Sequence, residues 1–177
     1  MIDTERLLLR RWTEADRAPF HAMCSDPAVM EYLGPPWSRE QCDAAIDRQN
    51  GFIDDFGSAF LAIERKADGA FLGFCGIKPG AADTPLENKP EIGWRLAASA
   101  WGRGYAREAA AACLDHGFAR QGFDAVWAMT VPANVRSWGL MERLGMARRA
   151  DLDFDHPLPG LEERLKAHIV YQKECPW

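Results

Sequence analysis

The residues of this chain best suited to chemistry by type and spacing lie between Glu91 and His156. Gly102-Arg103-Gly104-Tyr105-Ala106 separates an alternating stretch, Glu91 to Leu96, from an alanine-rich stretch with helical spacing. A glycine-bearing loop that opens a helix presents free backbone N–H groups at the positive end of the helix dipole, which makes a cradle for phosphate. Arg103 and Arg107 add positive charge there, and Ala106 keeps the first turn uncrowded. The loop is not a dinucleotide fingerprint, because Arg107 stands where GxGxxG needs its third glycine, and no GK[ST] tripeptide makes a P-loop. A tight turn would use the same glycines. Glu91 opens its strand as a carboxylate able to take a proton, although a strand-end Glu after Pro90 is equally at home in solvent. Asn134 has the type of a helix cap. Asp151-Leu152-Asp153-Phe154-Asp155-His156 and Glu162-Glu163 form an acidic run whose simplest role is a solvated face.

These residues need elements to hold them. Arg6 to Trp12 reads as a strand. Asp16 reads as the cap of a helix ending near Cys24, with Ser25-Asp26-Pro27 as a turn. Ser38 and Gln41 form a capping box ahead of a helical pattern that stops at Gly57. Ala59–Arg65 and Ala70–Ile77 are strands joined through Ala67-Asp68-Gly69. A polar loop from Pro79 to Pro90 leads to the Glu91–Leu96 strand. A helix follows Gly104, with Ala106, Ala109, Ala110, Cys113, Leu114, Gly117 and Phe118 as its apolar stripe, and Gly122 ends it. Val126–Val131 is a buried strand, and Asn134 to Leu144 is a helix stopped by Gly145. A last strand carries Leu165, Ala167, Ile169 and Tyr171 in alternation. The chain reads as one mixed α/β layer structure, without repeats or a second domain.

Composition limits the partners. The 177 residues are 47% hydrophobic and 27% charged, as in ordinary globular proteins. No apolar run approaches a membrane span, and the charged N-terminus does not read as a signal peptide, so the expectation is a cytoplasmic protein away from membranes. Acidic residues outnumber basic ones, 26 to 21, which argues against a nucleic acid as the main ligand and leaves room for one local basic pocket. The five cysteines are scattered without CxxC or CxH spacing, so they are expected to be reduced and mostly buried, with no metal site.

Trp101-Gly102-Arg103-Gly104-Tyr105-Ala106 resembles the acetyl-CoA pyrophosphate loop of the GNAT superfamily of N-acetyltransferases, Q/R-x-x-G-x-G/A, with Trp101 departing from the Q/R. Asn134-Val135-Arg136-Ser137 followed by Leu144-Gly145-Met146 resembles that superfamily's second CoA-side motif. Thr4-Glu5-Arg6-Leu7-Leu8-Leu9-Arg10 and His168-Ile169-Val170-Tyr171 look like the RimJ/RimL-type branch. The motifs run in order over nearly the whole chain.

The resemblance implies a central, twisted, mostly antiparallel sheet of six to seven strands with about four helices, in which the strands at Glu91–Leu96 and Val126–Val131 splay apart. It implies acetyl-CoA as co-substrate, its pantetheine arm pairing with backbone around Trp94, Arg95 and Leu96 and its pyrophosphate lying on Gly102, Arg103, Gly104, Tyr105 and Ala106. Asn134 would bond the pantetheine. An acceptor amine would attack the thioester directly, with Glu91 as base and a strand N–H stabilising the oxyanion. The family's Tyr, seven residues beyond the motif Asn, is Met141 here, which leaves Ser137 as substitute acid. Tyr105 reads as packing or phosphate contact. Asp153, Asp155 and His156 would wall the acceptor side and favour a cationic amine. A homodimer is also plausible by resemblance. A CoA-binding sensor without turnover is the competing reading, favoured by Met141, and a nucleotide-binding regulatory module is a third.

Overall fold

The computed structural model describes residues 1–177. Its strands are β1 (Ile2–Asp3), β2 (Leu7–Arg10), β3 (Phe60–Arg65), β4 (Ala70–Pro79), β5 (Pro90–Leu96), β6 (Ala125–Thr130), β7 (Ala147–Arg148), β8 (Phe154–Asp155) and β9 (Ala167–Glu174). The helices are α1 (Arg17–Cys24), α2 (Pro27–Met30), α3 (Arg39–Phe56), α4 (Tyr105–Gln121) and α5 (Val135–Arg143). The sheet order is β1-β2-β3-β4-β5-β6-β9-β7, with β8 paired to β9 off this path. Every pairing is antiparallel except β5 with β6. That exception follows from the connection: α4 carries the chain from the end of β5 back to its start, and a crossover of this kind returns a parallel strand.

Helices cover both faces, so β4 is buried along most of its length rather than on alternate residues. On one face Leu7, Ile63, Cys75, Ile77, Ile92 and Val126 pack against the stripe of α4 predicted from sequence, including Ala109, Cys113, Leu114 and Phe118. On the other, Ala62 and Phe74 pack with Trp12, Phe20, Met23, Cys42 and Ile46 beneath α1 and α3. The cysteines are free, and all but Cys175 are buried.

Sequence and structure differ in instructive places. The longer strands match the expected six to seven; β1, β7 and β8 have two residues each, too few for alternation to register. Asp26 and Pro27, read as a turn, start the single turn of α2: Asp26 Oδ1 accepts from the Ala28 N–H at 2.9 Å, with Pro27 at the first helical position. Leu165, assigned to the last strand, belongs to a 3-10 turn, Glu163–Leu165, and β9 begins two residues later.

Asp16 stands at the N-cap position of α1, as expected, but its side chain makes no capping bond there. A 3-10 turn, Glu14–Asp16, precedes that helix, and Thr13 is its cap. The Asp16 carboxylate accepts from the Thr13 N–H at 2.8 Å and from both Arg10 Nη atoms at 2.7 and 2.9 Å, and the residue is 2% exposed. Burial alone would raise its pKa; the bonds from Arg10 and Thr13 outweigh this and hold it below the ordinary carboxylate value. A depressed native pKa means that its stabilisation is present above the unfolded value, about 3.9, and is lost as pH falls through the native one. Asp16→Ala is expected to cost about 2 kcal/mol, below the range for an isolated buried pair because Glu64 still holds Arg10 at 2.7 Å. Urea denaturation at pH 7 and pH 3 checks both statements: the variant's deficit shrinks at the lower pH.

Candidate active site

β5 and β6 touch at one register pair, Glu91 with Trp127, and diverge beyond it. On its other side β5 pairs with β4 along its whole length, from Pro90 opposite Pro79 to Leu96 opposite Gly73. The Ala97 N–H bonds to the Leu72 carbonyl at 2.9 Å, which by antiparallel alternation turns the backbone groups of Ile92, Trp94 and Leu96 toward β6. Past Ile92 there is no strand to receive them. The Leu96 carbonyl is nonetheless taken, since it accepts from Trp101 Nε1 at 2.9 Å. Trp94 and the Leu96 N–H line the open edge.

The loop after β5 enters α4 through Gly102 at φ +72° and Gly104 at φ +80°. This left-handed backbone favours glycine, and it turns successive N–H groups toward one side. None of the N–H groups from Gly102 through Arg107 has a partner within the chain; the Glu108 N–H is the first to return, to the Gly104 carbonyl at 3.1 Å. The Arg103 and Arg107 guanidiniums have no acidic partner. Such a set of donors and cations fits a pyrophosphate. The Tyr105 side chain, by contrast, is buried under Arg6, whose guanidinium carbon lies 4.7 Å from the ring centroid, so it packs rather than facing the loop.

One carboxylate, Glu108, stands in the first turn of α4, where it would repel an anion. It is turned away: Thr4 Oγ1 donates to it at 2.7 Å, and the Arg6 N–H and Nε at 2.9 and 2.6 Å. Burial works against its ionised form, and these bonds more than offset that, holding its pKa below the usual range. Arg6 also donates to the Arg103 carbonyl at 3.0 Å. The N-terminal Thr4–Arg6 segment thereby fixes both the loop and the helix start.

Across the divergence, Asn134 caps α5, its side chain accepting from the Ser137 N–H at 3.3 Å, which leaves the amide NH₂ free. Ser137 Oγ makes no bond within the chain, and Met141, one turn on, is 2% exposed in the core. Arg136 stacks over Trp101 at 4.9 Å and so links the two sides of the divergence.

On the α1–α3 face, register places Lys78, Glu91 and Trp127 side by side. Glu91 is 6% exposed; its Oε2 accepts from Lys78 Nζ at 2.8 Å, while Oε1 has no partner in the chain. Trp127 Nε1 is buried without a partner. Further along the same face, past Gly93, is Arg95. Gly93 is required there, because a Cβ would lie 2.7 Å from the Phe60 ring. Phe60, Phe74, Trp37, Lys78 and Arg95 line a cavity of about 520 Å³ between the sheet and α3.

The acidic run does not form an unpaired wall. Asp153 pairs with Arg148 and accepts from the Val170 N–H; Asp151 pairs with Arg149, Glu162 with Arg164, and Glu163 with Lys166. Asp155 is exposed, and neither it nor Asp153 lines the cavity. Each of these four acids pairs with a basic residue close by in sequence, while Asp155 has no ion-pair partner. His156 packs with Phe154 and His168, at ring separations of 5.9 and 5.0 Å. Burial, with smaller contributions from the neighbouring His168 and Lys78, lowers its pKa. Its Nδ1 accepts from the Leu158 N–H at 3.2 Å, so the neutral ring carries its proton on Nε2 and offers a donor. Lys78, Trp37 and Trp127 carry no signal in local spacing, and Arg136 enters only as a member of the Asn134–Ser137 motif. Lys78 was accessible in principle, as the residue opposite Glu91 once the hairpin register is extended past Ile77.

The single parallel contact beside an open cleft, with a phosphate-type loop starting the crossover helix, defines a site for an extended phosphorylated ligand. Residues 6–147 match the family model described as "Acetyltransferase (GNAT) domain", and the chain belongs to that family. It is 36% identical over 146 residues to "Uncharacterized protein YkkB" of Bacillus subtilis (strain 168), covering 81% of this chain and 83% of that one. With "Uncharacterized N-acetyltransferase YnaD" of the same organism it shares 30% over 148 residues, covering 83% and 82%. The acetyltransferase of Agrobacterium tumefaciens str. C58 superposes with a TM-score of 0.79 at 27% identity, over 98% of this chain and 93% of that one. The ribosomal-protein-S5-alanine acetyltransferase of Vibrio fischeri superposes at 0.75 and 15% identity, over 98% and 96%, a likeness of fold alone. The chain is thus an acetyl-CoA-dependent acyltransferase of the GNAT family, in which no helix is long and apolar enough to cross a membrane.

Proposed function

We propose that this enzyme moves the acetyl group of acetyl-CoA to a primary amine by direct attack in a ternary complex. The observation that carries the reading is the unbroken run of free N–H groups from Gly102 through Arg107, opening onto the same divergence of β5 and β6 that begins at Glu91. When bound, acetyl-CoA supplies a thioester as the activated acyl donor. The loop N–H groups with Arg103 and Arg107 hold the pyrophosphate. Trp94, whose backbone N–H and carbonyl lack a strand neighbour, pairs with the pantetheine, and the Leu96 N–H adds a donor. Asn134 holds the same arm through its free amide NH₂ while capping α5.

Glu91 is the base. Lys78 fixes Oε2 and thereby aims Oε1, which takes a proton from the amine directly or through one water. Ser137 Oγ, free of other bonds, donates to the departing sulfur. His156 offers its Nε2–H on the acceptor side and is a recognition group there; its Nδ1 is engaged, so it is not a second base. Asp153 is committed to Arg148 and Asp155 is exposed, so an acidic wall does not select the acceptor.

The test is thiol release from acetyl-CoA by purified protein across N-terminal peptides, polyamines, amino acids and aminoglycosides. Turnover on one class supports the reading. Silence across the panel, with acetyl-CoA still raising the melting temperature, would favour a CoA sensor, and no thermal shift would remove the CoA assignment.

A further inference from the structure

The cavity on the α1–α3 face contains a cation with no anion to match it. Arg95 lies half-buried on β5, its guanidinium carbon 4.7 Å from the Trp37 ring centroid and 5.5 Å from that of Phe74. Nη1 donates to Cys24 Sγ at 3.1 Å, and Nε is buried without a partner. Nη2 makes no bond within the chain, and the residue lines the cavity. No carboxylate lies within ion-pair distance of Arg95, whereas arginines such as Arg10, Arg17 and Arg148 all have one. Flanking aromatic faces stabilise a guanidinium without neutralising it. A half-buried cation kept without a counter-ion loses part of its hydration, and a ligand that supplies the anion offsets that loss.

The other charges of the cavity do not supply it. Lys78 is taken by Glu91. Arg48 is exposed and adds positive charge, and Glu87, exposed in the loop before β5, bonds to the Asp83 N–H. Much of the remaining lining is aromatic: Phe52, Phe56 and Phe60 face the same space as Trp37 and Phe74, with smaller and polar residues such as Ala45, Gln49 and Asn88 between. Phe60 stacks on Phe74 at 5.1 Å and 15°, giving a flat apolar floor.

We propose that Arg95 is a specificity-determining residue, and that the acceptor is an amine on an aromatic or bulky apolar body that also carries a carboxylate or similar planar anion. Polyamines are disfavoured, because the cavity meets them with Arg95 and Arg48. The anion pairs with the guanidinium edge, the apolar body lies on the Phe60–Phe74 floor, and the amine extends past Lys78, out of the cavity, toward Glu91 beside it. The inference rests on the reading of this face as the acceptor side.

The test is binding, independent of turnover. Trp12 and Trp37 line the cavity and report occupancy by fluorescence. 3-Phenylpropionate, 3-phenylpropionamide and 3-phenylpropylamine are titrated into the wild type, with CoA titrated in parallel. The carboxylate is expected to bind about tenfold more tightly than the amide and the amine. Arg95→Met is expected to abolish that preference while leaving CoA affinity unchanged, and Arg95→Lys to retain part of it; circular dichroism checks that both variants fold. Equal affinities, preference for the amine, no saturable binding, or a preference surviving in Arg95→Met would each overturn the proposal. Carboxylate preference without CoA binding would overturn the acetyl-transfer reading instead, so the two failures are distinguishable.

Discussion

Glu91→Gln is expected to lower kcat by about 10²- to 10⁴-fold, the usual contribution of a positioned general base, while CoA affinity stays at the wild-type value. The substitution preserves shape and leaves an amide oxygen for Lys78 to bond. It removes the carboxylate oxygen that has no partner within the chain and is available for a proton. Glu91 lies on the α1–α3 face of β5, whereas the phosphate-type loop follows the far end of that strand, so binding and proton transfer separate in this variant. Raising the pH should recover part of the loss, because more of the amine then arrives neutral. Stopped-flow thiol release gives the rate, and calorimetry the CoA affinity. A variant with normal turnover would remove Glu91 from the chemistry and leave the Lys78–Glu91 pair as the strut that closes the β4–β5 hairpin.

Gly104→Val should have the opposite signature. At φ +80° a β-branched residue is strained, at a cost of about 1–2 kcal/mol, and its Cβ would stand 3.4 Å from Arg6 Nη2. The loop relaxes by turning its N–H groups out of their common direction. Losing two charge-assisted hydrogen bonds to an anion costs about 3–4 kcal/mol, a several-hundred-fold loss of CoA affinity. With saturating acetyl-CoA, kcat should be little changed, because Glu91 is untouched. Wild-type CoA affinity in this variant would mean that the N–H groups from Gly102 through Arg107 hold nothing.

The sequence exposed what depends on local pattern. Glycine stops at Gly57, Gly122 and Gly145, the Ser38–Gln41 capping box, the stripe of α4 and the strand at Glu91–Leu96 are all written in spacing, and each is where it was expected. At Asp16 the position was legible and the bonding was not, because a good cap residue also makes a good buried partner, and only the approach of Arg10 from β2 decides between them. The acidic run reads from spacing as a solvated face and becomes a wall only through the resemblance; its ion pairs with Arg148, Arg149, Arg164 and Lys166 fit the first reading. The resemblance assigns the Arg95 backbone to the pantetheine edge, but the register opposite Phe74 turns that backbone toward β4, and it is the side chain that enters the cavity. In the chain Arg95 is one residue of an alternating strand; its isolation from every carboxylate is a property of the assembled face, set by Trp37 and Cys24 from distant segments. Spacing along the chain therefore located the glycine loop and the strand that Glu91 opens, but not the isolation of Arg95.

In the proposed reading one cleft joins the loop of Gly102 through Arg107 to the open edge of β5. Backbone amide NMR on the ¹⁵N-labelled protein, titrated with CoA, tests it most directly. The largest shifts are expected at Gly102 through Arg107, Trp94 and Leu96, with the Asn134 side-chain NH₂ moving as well and the amides of β1 and β2 remaining still. Shifts concentrated elsewhere, with these amides unmoved at saturating CoA, would contradict the claim.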